Sequence, residues 1–91
     1  MTAKRVVFKG RVQNVGFRYT VKDLARSFDV CGWVRNVPDG TVELQVQGET
    51  SEVNGFVREI IEESNVAHHI RSHFVETMPM MSGVSGFRIT D

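Results

Sequence analysis

Two strand-like runs, residues 33–37 and 41–47, flank Pro38-Asp39-Gly40, and this hairpin pattern restricts the fold more than any other stretch of the chain. Pro, Asp and Gly in succession form a strong turn signal. In the second run Val42, Leu44 and Val46 alternate with Thr41, Glu43, Gln45 and Gln47, so one face is apolar and the other polar. A two-stranded hairpin is marginal by itself, and its apolar face has to be covered by other elements of the chain.

The cover is legible on both sides of it. Val21, Leu24, Ala25 and Phe28 recur at i, i+3, i+4 and i+7, which predicts a helix over about residues 19–29, stopped near Gly32. Val53, Phe56, Val57, Ile60 and Ile61 form the stripe of a second helix, with Thr50 or Ser51 as its cap and Glu52 in its first turn. Gly55 inside that helix should cost about 1 kcal/mol relative to Ala. Residues 4–12 read as a strand through Val6, Val7, Phe8 and Val12; residues 68–77 read as another, and Phe87 to Thr90 as a short closing one. Residues 78–86, with Pro79 and two glycines, read as a loop. The order β-α-β-β-α-β, with two one-sided helices, predicts an α+β fold: an antiparallel sheet carrying both helices on one face, the ferredoxin-like sandwich. Trp33 is expected in the core over the helix–sheet junction, and Cys31 as a small buried hydrophobe.

Ninety-one residues form one domain, 1–91, with room for a single core that buries roughly 60–65% of the unfolded surface. No apolar run reaches the length of a membrane span, the N-terminus has no signal-peptide core, and a lone cysteine forms no internal disulfide. A cytoplasmic protein without membrane association is expected, and a monomer. Net charge is zero but unevenly spread: residues 1–36 carry +6 and residues 37–91 carry −6. On charge alone, solvated faces that meet in the fold account for such a split more readily than an anion-binding half does.

The stretch that carries chemistry is Gly10-Arg11-Val12-Gln13-Asn14-Val15-Gly16-Phe17-Arg18, between the first strand and the first helix. Asn14 and Gly16 tolerate left-handed backbone, so the loop can aim several N–H groups at one point, beside the positive end of a helix. Arg18 adds a planar cationic fork suited to phosphate or carboxylate. Other chemistries lack support. His68, His69 and His73 have no cysteine partners or second ligand group and read as exposed strand residues. There is no nucleophile elbow for a serine and no Gly-Lys-Ser/Thr loop for ATP. The third strand has no aromatic residue for stacking bases, which argues against RNA binding on the same β-α-β-β-α-β framework. Arg18 could instead pair with Asp23 or a distant carboxylate, and Asn36 could merely bracket the turn at Pro38.

Read together, Gly10 to Arg18, then Gly32-Trp33-Val34-Arg35-Asn36 with Asp39-Gly40 after it, and the closing Gly86-Phe87-Arg88-Ile89, resemble the acylphosphatase family over the whole chain. One position departs, Asn14 standing where that family usually has Gly. The resemblance implies the ferredoxin-like fold and hydrolysis of acyl phosphates, carboxylic–phosphoric mixed anhydrides, to carboxylate and inorganic phosphate. It implies no metal and no organic cofactor, with inorganic phosphate as product and inhibitor. The phosphate would be bound by the loop Gln13, Asn14, Val15, Gly16, Phe17 and Arg18, with Arg18 and Asn36 as the catalytic pair. Asn36 would orient a water, and the substrate phosphate would accept its proton. The resemblance leaves a second reading, a non-catalytic module of the same fold that binds phosphate or carbamoyl phosphate. Asn14 is expected to keep the loop in shape at about 1 kcal/mol of strain, with activity present but loop flexibility or rate reduced.

Overall fold

The computed structural model describes residues 1–90. Strand β1 (Thr2–Gly10) leads through a loop into helix α1 (Phe17–Ala25). The hairpin strands are β2 (Val30–Asn36) and β3 (Val42–Gly48), followed by α2 (Thr50–Arg58), whose axis continues through a π-helical turn over Glu59–Glu63. A 3-10 turn (Ala67–His69) precedes the edge strand β4 (Ile70–Met78), and β5 is Phe87–Thr90. The hairpin forms in the expected place, Asn36 opposite Val42 and Trp33 opposite Gln45. Its turn is stiffened by Asp39, whose Oδ1 accepts from both the Thr41 amide (2.9 Å) and the Thr41 hydroxyl (2.6 Å).

The sheet order is β4-β1-β3-β2-β5. All neighbours are antiparallel except β2 and β5, which run parallel, so the sheet is mixed where the sequence led us to expect an antiparallel one. The chain leaves β4 at one edge and must reach the other edge before β5 begins, and this crossing sets the direction of β5. Gln47 ties the crossing segment down, its amide bonding both the N–H (2.7 Å) and the carbonyl (3.1 Å) of Met81.

One core lies between the sheet and both helices. Val6, Phe8, Val34, Val42, Leu44 and Val46 from the strands meet Phe17 and Val21 of α1, and Val53 and Phe56 of α2, all essentially inaccessible to solvent. Gly55 has a packing reason, because a Cβ there would press to 3.1 Å from the Phe28 ring, which itself packs on Phe56 at 5.7 Å between centroids. Side-chain capping of α2 departs from expectation. Its N-cap is Glu49, without a side-chain cap bond, because the Thr50 hydroxyl is engaged with that of Thr2 at 2.6 Å.

The opposite face of the sheet holds two surprises. Trp33 is not a core residue. It alternates with buried Gly32 and Val34 and so projects onto the open face, as does half-exposed Cys31, which is therefore not a buried hydrophobe either. The Arg35 guanidinium lies over the Trp33 ring at 5.6 Å. Beside them Glu43, only 5% exposed in its side chain, sits between Arg5 Nε (2.6 Å) and Arg35 Nε (2.8 Å), and Arg5 reaches on to Glu76 (2.9 Å). Burial opposes charge on the Glu43 carboxyl, but hydrogen bonds from Arg5, Gln45 and Arg35 outweigh it and hold the group below the ordinary carboxylate range. A carboxyl depressed in the folded state contributes stability above its unfolded pKa of about 4.3, and that contribution disappears as pH falls through the folded value. Glu43→Gln is therefore expected to lose about 2 kcal/mol at neutral pH. Its stability should also vary less than that of the unaltered protein between pH 5 and pH 2. Denaturant unfolding across that range measures both, and parallel acid limbs in the two proteins would rule this account out.

Candidate functional site

At the C-terminal end of β1 the pairing with β4 slips between Lys9 and Gly10, and the Arg11 amide bonds the His69 carbonyl at 3.0 Å. From there the chain turns through two left-handed residues, Asn14 (φ 63°) and Gly16 (φ 77°). Asn14, the single non-glycine residue at positive φ among those described, holds the backbone angle that the sequence led us to expect of it. Helix α1 starts immediately afterwards with Gly16 as its N-cap, no side-chain cap and no acidic residue in its first turn. Most helices satisfy their first N–H groups with a capping side chain. Here no backbone N–H from Gln13 to Tyr19 finds an acceptor among the described residues. Two left-handed residues ahead of an uncapped helix leave a run of unbonded donors with the helix dipole behind it, the kind of arrangement that suits an anion.

Phe17 fixes the start of the helix. Its ring is buried against Phe8 at 5.1 Å between centroids, so core packing anchors the loop where its unbonded N–H groups lie. Gln13 anchors the other side. Its Nε2 donates to the carbonyls of Val37 (2.8 Å) and Thr41 (2.9 Å), clamping the loop to the β2–β3 turn that follows Asn36.

The result is a cavity of about 170 Å³. Asn14, Gly16, Phe17 and Arg18 line it from the loop and helix, and Asn36 from the end of β2, so the two residues singled out as catalytic share one site. Val12 and Tyr19 complete the wall. Neither figured among the residues expected there. Tyr19 lies off the apolar stripe of α1, the one sequence signal that could have marked it, and is 72% exposed. The side chains of Gln13 and Val15 do not reach the wall: Gln13 is committed to its clamp, and Val15 packs against the core.

The electrostatics are one-sided. Among the described residues no carboxylate lines the cavity, and Arg18 has no ion pair or hydrogen bond. Asp23, the nearest rival partner in sequence, faces Arg26 at 3.7 Å instead. The Asn36 carboxamide is likewise unengaged, and its Oδ1 is buried with no hydrogen-bond partner, alone in this among the side-chain polar atoms described. An orphaned buried polar atom costs about 1–3 kcal/mol, a cost retained in folded proteins chiefly at sites of function. With N–H groups, a guanidinium and a carboxamide but no imidazole, thiolate or carboxylate, the cavity suits an oxyanion and not a cation.

Comparison with known proteins agrees with this geometry. The sequence matches the family model for acylphosphatases over residues 4–89. It is 44% identical over 75 residues to an acylphosphatase of Methanospirillum hungatei, covering 80% of this chain and 82% of that protein. A Staphylococcus aureus acylphosphatase is 37% identical over 79 residues, with 87% and 88% covered. The crystal structure of the acylphosphatase from Bacillus subtilis superposes over the full length of both chains with a TM-score of 0.87 at 31% identity. A match that spans all but a few terminal residues, on the fold the sequence pattern predicts, leaves one conclusion: the chain belongs to the acylphosphatase family.

Proposed function

We propose that this protein hydrolyses acyl phosphates to a carboxylate and inorganic phosphate, with Arg18 and the 13–18 loop holding the phosphoryl group and Asn36 orienting the attacking water. The observation that carries the assignment is that a guanidinium and a carboxamide, neither with a partner among the described residues, line one cavity that no described acidic residue lines. In the reaction, the water oxygen forms a bond to phosphorus as the bond from phosphorus to the acyl oxygen breaks. The carboxylate leaves with that electron pair, and a phosphoryl oxygen takes the water's proton. A carboxylate is a good leaving group, so positioning and charge stabilisation contribute more than a strong base would. With the loop anchored by Phe17 and Gln13, its donors need little reorganisation at the moment of attack.

The same reading makes the protein a cytoplasmic monomer that acts on small molecules. Among the described residues no helix is long and apolar enough to cross a membrane. The open face of β1 and β3 presents the Arg5–Glu43 ion pair, not the aromatic platform that stacks nucleic-acid bases. Hydrolysis of benzoyl phosphate, followed in the ultraviolet, tests the activity, and inorganic phosphate should inhibit it competitively. Absence of turnover would sink the proposal. Asn14 holds a left-handed angle, where a non-glycine residue has less backbone freedom than glycine. Asn14→Gly is expected to raise turnover about twofold to threefold by freeing that loop. Unchanged phosphate affinity and turnover would leave Asn14 no role beyond its backbone angle.

A further inference from the structure

A second concavity, about 890 Å³, lies at the corner where the end of β1 meets the start of β4 and has no lining residue in common with the cavity just described. Lys9, Arg11, His68, His69, Arg71 and Ser72 line it, and among the described residues no acidic one does. Lys9, Arg11 and Arg71 form no ion pair and no side-chain hydrogen bond among the described residues, although Arg5, Arg26, Arg35 and Arg58 all find carboxylates. Asp39 lies within the field of Lys9 but beyond ion-pair distance. Three like charges held round one depression repel each other, and an anion bound among them relieves that cost.

The backbone keeps these residues together. Gly10 adopts φ 133°, and a Cβ on it would collide with the His69 carbonyl and the Arg71 amide, so only glycine lets β1 close onto β4 here. The Arg11 amide bonds the His69 carbonyl at 3.0 Å, and Lys9 stands opposite Ser72. The pairing then slips from Lys9–Ser72 to Gly10–Ile70, which leaves Arg71 outside the ladder, an irregularity of the kind that re-aims a side chain at the rim of a sheet. His68 and His69 add two imidazoles with ring centroids 4.0 Å apart, further donors for an oxyanion.

We infer that this groove is a second anion site, separate from the cavity of Arg18 and Asn36, for a small molecule that carries two or more phosphate groups. Its volume falls in the range of small-molecule clefts. Three cations exceed the charge of about −2 that a single phosphate group brings. Two guanidinium forks suit phosphate oxygens, and among the described residues no Phe, Tyr or Trp lines the groove to stack the bases of a nucleic-acid strand.

Calorimetric titration with tripolyphosphate tests it, and the readout is binding, independent of any turnover. Arg18→Ala, which removes the guanidinium of the other cavity, should bind tripolyphosphate about as tightly as the unaltered protein does. Loss of that binding with Arg18 would place the ligand in the other cavity and overturn the inference. Lys9→Ala/Arg71→Ala should weaken the binding about tenfold or more, and undiminished affinity would overturn the inference as well. Lys22→Ala/Arg26→Ala removes the same charge from the region of α1 and should leave affinity within about twofold. Equal weakening in the two double variants would reduce the effect to attraction by net charge, and the site would be struck. Melting supplies the check on folding. Without ligand Lys9→Ala/Arg71→Ala should melt no lower than the unaltered protein, since a repulsion is relieved, and tripolyphosphate should raise the melting temperature of the unaltered protein but not of this variant. Should that variant fail to fold, Arg71→Glu reverses one exposed charge and should weaken the binding by at least as much; an Arg71→Glu protein that binds tripolyphosphate normally overturns the inference.

Discussion

Arg18→Ala is expected to weaken inorganic phosphate binding about 100-fold or more and to lower kcat/KM for benzoyl phosphate about 1000-fold. Among the described residues Arg18 is the only permanent charge on the cavity wall and pairs with no acidic residue, so its interaction is available to the phosphoryl oxygens. Charge-assisted, two-pronged contacts of this kind are among the strongest in proteins, and loss of a single donor to a developing oxyanion typically costs 10²–10³ in rate. Folding should barely change. A half-exposed arginine with no protein partner contributes within about 0.5 kcal/mol of stability, and its removal relieves repulsion from the basic first half of the chain. Arg18→Lys separates charge from geometry. A lysine keeps the cation but loses the planar fork, and it should recover about tenfold of the lost affinity and less of the lost rate. Phosphate inhibition constants read binding directly, and thermal melts without ligand read stability. An Arg18→Ala protein that still binds phosphate normally would leave the N–H array as the sole anion holder and remove Arg18 from the mechanism.

The residues that locate this site were legible because local backbone chemistry, and not tertiary packing, sets them. Asn14 and Gly16 tolerate the two left-handed angles that bend the loop, and both angles are present. The hairpin and both helix stripes were legible from apolar spacing, which is a property of the core they share. What spacing does not encode is which face a half-apolar strand turns inward. Trp33 looked like core because it is large and apolar; the strand period places it with Arg35 on the open face, since Gly32 and Val34 take the inward positions. The direction of β5 was equally hidden, because it follows from where the 79–86 crossing arrives and not from any residue within β5. The two histidines ahead of β4 form a 3-10 turn and not the start of the strand, a local choice tied to the Arg11–His69 backbone bond from another part of the chain. Gln13 is the instructive case within the site. Its backbone N–H stays with the unbonded donors of the loop, while its side chain, long enough to reach two carbonyls, clamps the loop to the β2–β3 turn, a role that its place in the loop did not reveal.

Asn36→Ala should separate the two steps that Arg18 joins. Phosphate affinity is expected to stay within about threefold of the unaltered protein, because Asn36 lines the cavity from β2 and not from the loop and helix that carry the N–H groups and the guanidinium. Turnover should fall about 10²–10³-fold, the usual cost of losing a positioned polar group that acts in the transition state. Stability supplies the discriminating readout. A buried amide that served the fold would have protein partners, and its removal would destabilise the domain by about 1–2 kcal/mol. Asn36 has none, and its orphaned Oδ1 is a standing penalty, so truncation should leave the melting temperature unchanged or raise it by several degrees. Asn36→Asp sharpens the contrast, since a carboxylate at the same place repels the bound phosphoryl group and should lower affinity as well as rate. Loss of turnover together with gained stability is the signature of a group kept for catalysis against the interest of the fold. A slow variant that is also less stable would show that Asn36 holds up the end of β2, and the attacking water would need another guide.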